Sequence, residues 1–108
     1  MSASIEDTLL QRIVGRTVEA VRPLRVVLFG SAARGEMNEN SDVDLLLVMP
    51  DGTHRRDTAR KVYRALGGLG VSKDIIVVTE DDLRRFGDEP SLVIYPALRE
   101  GKEIYSAG

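Results

Sequence analysis

The chain alternates between stretches of helical and of strand-like hydrophobic spacing. Ile5, Leu9, Leu10, Ile13, Val14, Val18 and Val21 fall on one stripe at helical intervals, so residues 5–21 predict an amphipathic helix. Ser4 with Asp7 three residues later marks its start, and Pro23 marks its stop. Residues 25–29 are a short apolar run that reads as a buried strand. The pattern breaks at Gly30-Ser31; residues 31–36 predict one or two helical turns, and 37–40 a polar loop. A second strand is predicted over 42–49, with Asp42, Asp44, Leu46 and Val48 on one face and Val43, Leu45, Leu47 and Met49 on the other. Its later half is apolar on both faces, as expected of a central strand covered on both sides. After the Pro50-Asp51-Gly52 turn, residues 55–69 predict a second helix. Its buried stripe is Ala59, Val62, Tyr63, Leu66 and Leu69, with Gly67-Gly68 near its end. A third strand follows over 71–79, a short helix over 80–86, a loop over 87–90 and a helix over 92–99 that includes Pro96. Residues 101–105 add an edge strand.

This order predicts an α/β fold, a small β-sheet packed with helices. The 108 residues make a single domain, 1–108, with one core and no room for a separate acceptor-binding domain. Fifteen Lys and Arg stand against seventeen Asp and Glu, a formal net charge of −2, so no global positive field exists to grip nucleic acid and none is expected as a direct ligand. Absence of cysteine excludes disulfides, thiolate catalysis and Cys-based metal sites, and a single histidine, His54, excludes multi-histidine sites. No stretch is apolar for long enough to span a membrane and no signal peptide opens the sequence, so the expected location is the cytoplasm.

The chemistry concentrates in residues 28–48. Asp42 and Asp44 are two apart on a strand, so both carboxylates leave one face, which turns apolar from Leu46 onward. Asp74 holds the same place on the third strand, ahead of Ile76 and Val78. If the two strands are neighbours, three carboxylates converge. Two like charges about 5 Å apart repel by roughly 3 kcal/mol at an effective dielectric of about 20. Such a cluster calls for protonation or for a divalent cation. Oxygen donors without His or Cys select Mg²⁺ or Mn²⁺ over zinc. Gly30 permits close backbone approach to a ligand, and Ser31 opens a predicted helix whose free N–H groups favour a phosphate. Arg34, one turn on, can reach phosphate oxygens. Without a following Gly-Lys-Ser/Thr this is not a P-loop. Together these features describe a site for a nucleoside triphosphate and its metals.

Gly30-Ser31-Ala32-Ala33-Arg34-Gly35, followed by Ser41-Asp42-Val43-Asp44-Leu45, resembles the signature of the nucleotidyltransferase superfamily that includes DNA polymerase beta. The small size and the Ala-Arg-Gly form resemble its minimal branch, the MntA-like proteins. The resemblance implies a mixed sheet of the polymerase beta palm type. It implies that Asp42 and Asp44 bind metal, that Ser31 contacts the triphosphate and that Asp74 is the third carboxylate. Its further implication is AMP transfer from ATP to a hydroxyl with release of pyrophosphate, the acceptor being a tyrosine of a HEPN-type toxin encoded nearby, with this chain as antitoxin. The alternative is a nucleotide-binding module that neutralises a partner by steric binding alone; the complete set of carboxylates favours the enzyme. Tyr63 and Tyr95 read as packing residues, His54 as an exposed loop residue, and Arg55-Arg56 and Arg84-Arg85 as solvated faces.

Overall fold

A computed structural model describes residues 7–30, 43–86 and 101–107. Ile5, the predicted short helix over 31–36 and the predicted helix over 92–99 lie outside these residues. The described elements are α1 (Asp7–Val21), β1 (Arg25–Phe29), β2 (Val43–Met49), α2 (Arg55–Ala65), β3 (Lys73–Thr79), α3 (Glu80–Phe86) and β4 (Lys102–Ser106). The four strands form one mixed sheet in the order β3-β2-β1-β4. β1 runs antiparallel to both β2 and β4, while β2 and β3 are parallel and joined through α2. The predicted edge strand is thus present as β4, beside β1.

The sheet separates two apolar clusters. On one face Val26, Leu28, Val43, Leu45, Leu47 and Ile75 pack against Ile13 of α1 and against Val62 and Leu66 at the end of α2. On the other, Val27, Leu46, Val48 and Val78 pack with Phe29, Ile76 and Leu83 of α3. Alternation along β2 divides its residues between these faces, and both are buried, as its two-sided apolar pattern predicts. Among the described residues, no helix is long and apolar enough to cross a membrane.

Local chemistry sets the helix limits. α1 ends where Arg22 takes a left-handed conformation (φ 49°) ahead of the buried Pro23. α2 begins at an N-cap that composition does not advertise: His54 Nδ1 accepts from the Asp57 amide at 3.2 Å. It ends at Ala65 with Leu66 as C-cap, four residues short of the stripe's predicted end, ahead of the Gly67-Gly68 pair. Arg16 of α1 donates to the Ala65 and Gly67 carbonyl oxygens at 3.4 and 3.3 Å, giving acceptors left over at a helix end a partner.

Thr79 and Asp82 form a reciprocal cap at the start of α3. The Thr79 amide donates to Asp82 Oδ2 at 2.9 Å, and the Asp82 amide donates to Thr79 Oγ1 at 3.2 Å. Arg55 at the start of α2 pairs with the same carboxylate at 2.7 Å, and Arg84 pairs with Asp51 at 2.8 Å, so these arginines join segments rather than only facing solvent. Burial pushes the Asp82 carboxyl up, but the Thr79 amide, the Arg55 guanidinium and the Thr79 hydroxyl together hold it below the usual carboxylate range. A lowered folded-state value stabilises the fold at pH above the ordinary Asp value of about 3.9, and that contribution is lost as pH falls through the folded value. Asp82→Asn should therefore cost about 1–2 kcal/mol at neutral pH. The gap to the parent should close as pH falls below about 4. Thermal unfolding of both proteins at pH 7 and at pH 3 checks this; a gap equally wide at both would contradict the assignment.

Candidate active site

The site is built on the first strand crossing. β1 ends at Phe29, whose register partner on β2 is Asp44. The next residue, Gly30, has φ 72°. A Cβ placed there would collide with Asp44 Oδ2 and lie 3.2 Å from Asp44 Cγ. Glycine is required twice over: for a left-handed backbone, and for an approach that leaves no volume between the turn and the carboxylate. The antiparallel register and the glycine turn together place the end of β1 flush against Asp44.

The parallel crossing supplies the second carboxylate. Asp44 and Asp74 are register partners on β2 and β3, so their backbones are about 4.8 Å apart. Both lie on the face that carries Leu46, Val48, Ile76 and Val78, two residues before that face becomes apolar. Asp44 is half-buried, while Asp74, on the outer strand, is exposed. The predicted adjacency of the second and third strands therefore holds, and it brings two of the three expected carboxylates together. Asp42, Ser31 and Arg34 lie outside the described residues.

The sequence profile of the nucleotidyltransferase domain family matches residues 10–104, a span that includes Gly30, Asp44 and Asp74. The chain belongs to this family. Two solved structures share the nucleotidyltransferase fold. One is a Sulfolobus solfataricus protein inferred to be a nucleotidyltransferase, 24% identical, with a TM-score of 0.62 over 93% of this chain and 79% of that one. The other is a toxin–antitoxin crystal structure with AMP-PNP, 19% identical, with a TM-score of 0.63 over 90% of this chain and 73% of that one. No curated protein matches the chain.

In this nucleotidyltransferase domain the donors that meet at the sheet suit a hard divalent cation. Asp44 and Asp74 offer carboxylate oxygens alone, while His54 lies past the far end of β2, in a depression shared with Met49. Among the described residues no group of three or more His, Asp or Glu side chains forms a metal site by itself, and the third expected carboxylate, Asp42, lies outside them. The two carboxylates, on register-paired residues of one face, fit the divalent cation that nucleotidyl transfer uses: both offer hard oxygen donors, and Gly30 leaves the turn close to one of them.

Tyr63 differs from its sequence reading. It falls at helical spacing with Ala59 and Val62, yet it is 40% exposed and sits on the flank of the stripe. Its hydroxyl reaches the outer edge of β3, where it accepts from the Ile75 amide at 3.0 Å and donates to Asp74 Oδ1 at 3.4 Å. The only sequence signal for this is a polar-tipped aromatic on the margin of an apolar stripe, whose hydroxyl calls for a partner.

Proposed function

We propose that the chain, as one domain over 1–108, transfers AMP from ATP to a hydroxyl of a protein partner in the cytoplasm and acts as the antitoxin of a toxin–antitoxin pair. The observation that carries this reading is the in-register pairing of Asp44 with Asp74 beside the Gly30 turn. Asp42, Asp44 and Asp74 are the residues that would hold Mg²⁺ or Mn²⁺. Bound there, such a cation supplies charge neutralisation at the triphosphate and a more acidic acceptor hydroxyl. Gly30, Ser31 and Arg34 would hold and orient the triphosphate. Asp74, exposed on the outer strand, would take the acceptor's proton as the acceptor oxygen attacks the α-phosphorus. The bond from that phosphorus to pyrophosphate then breaks and pyrophosphate leaves. Likeness of fold to a toxin–antitoxin structure with AMP-PNP supports both the nucleotide and the type of partner. The resemblance to the minimal branch points to a HEPN-type toxin. A net charge of −2 suits a protein whose target is another protein rather than RNA.

Incubation with ATP, Mg²⁺ and the neighbouring gene product, followed by intact-mass spectrometry, should show one AMP added to the partner, together with loss of its ribonuclease activity. A partner that is inhibited yet unmodified would instead establish the steric reading. A partner neither bound nor modified would remove the antitoxin role.

A further inference from the structure

We infer that Tyr63 is a positioning residue for Asp74, an inference that rests on the proposed role of Asp74 as a metal-binding carboxylate. Among the described residues β3 is an outer strand, and its outward amides have no strand partner there. In a parallel ladder alternate residues turn their backbone groups to opposite sides. The Ser72 carbonyl points inward, where it accepts from Val43 at 2.8 Å, and the Ile75 amide consequently points outward. Tyr63 Oη caps that amide at 3.0 Å. With the Ile75 N–H directed at its oxygen, the hydroxyl turns its single proton to Asp74 Oδ1.

An exposed aspartate has a broad, roughly two-fold choice of carboxylate rotation. Engaging Oδ1 narrows that choice and so sets where Oδ2 points. At 3.4 Å the contact is longer than a strong O–H···O bond, which suits an orienting restraint that adjusts when a cation draws on the carboxylate. Packing alone does not account for the residue, which is 40% exposed. Outer hydrogen-bond partners of metal-binding carboxylates act in this way, and their loss commonly weakens metal affinity about 10–100-fold. The length of this contact puts the expected effect at or below the lower end of that range.

The test is a double-mutant cycle on Mn²⁺ affinity, read by electron paramagnetic resonance with α,β-methylene-ATP, whose α–β linkage cannot be cleaved. Tyr63→Phe keeps the ring and should weaken Mn²⁺ binding about 3–10-fold. Asp74→Ala should weaken it further, and adding Tyr63→Phe to Asp74→Ala should change nothing more. Unaltered affinity in Tyr63→Phe, or an equal loss with Asp74 already removed, would overturn the positioning role while leaving the proposed site standing. Unaltered affinity in Asp74→Ala would overturn both. With ATP in place of the analogue, an AMP added to the protein alone that Tyr63→Phe abolishes would make Tyr63 an acceptor, and would overturn the inference in a different way.

Discussion

Asp44→Asn is expected to abolish transfer while the protein stays folded. The substitution keeps the shape of the side chain and removes one negative charge at the centre of the proposed metal site. Losing cation-assisted stabilisation of the transition state should lower the rate about a thousandfold, the equivalent of roughly 4 kcal/mol. Because the shape is kept, the fold should survive, with thermal stability near that of the parent. A rate assay and a melting curve on one preparation separate the possibilities. Transfer at the parental rate would remove Asp44 from the catalytic machinery, and an unfolded variant would make it a structural residue.

Gly30→Ala should lower transfer and stability together. The left-handed backbone at φ 72° costs an alanine about 1–2 kcal/mol. Its methyl group must also displace the Asp44 carboxylate, because no space separates them. A misplacement on the ångström scale at a reacting centre costs about a hundredfold in rate. Gly52→Ala is the matched control. Gly52 also has a positive φ, 86°, but a Cβ added there would meet nothing within 4 Å. It should show only the part of the stability loss that comes from the backbone, with full activity. If Gly52→Ala loses transfer as severely, backbone strain rather than contact with Asp44 explains the effect at Gly30.

Elements whose cause is local are legible in the sequence, and contacts that join distant segments are not. β1 has its predicted limits because an apolar run bounded by a basic residue and a glycine fixes both ends. The short helix over 80–86 also keeps its limits, since Thr79 and Asp82 form a cap three residues apart. The apolar stripe of α2 extends to Leu69, but periodicity carries no information on where backbone hydrogen bonding stops, and the helix ends at Ala65. Pairing of Asp44 with Asp74 follows from the shared position of the two residues on similar strands, given that the strands are neighbours. The reach of Tyr63 across the sheet edge and the joining of Arg55 to Asp82 depend on packing angles that residue spacing does not encode. The His54 cap is local, but histidine is not among the residue types that mark a helix start.

The outermost position of β3 has a bearing on breathing motions. β2 is hydrogen-bonded on both sides and buried on both faces, so its amides should exchange with solvent only when the whole fold opens. Among the described residues β3 has a neighbouring strand on one side only, and it can peel away at lower cost. The two carboxylates thus stand on either side of a seam between a slow-exchanging and a faster-exchanging strand. Any nucleotide and cation that engage both would stitch that seam, and part of their binding free energy would surface as slowed amide exchange along β3.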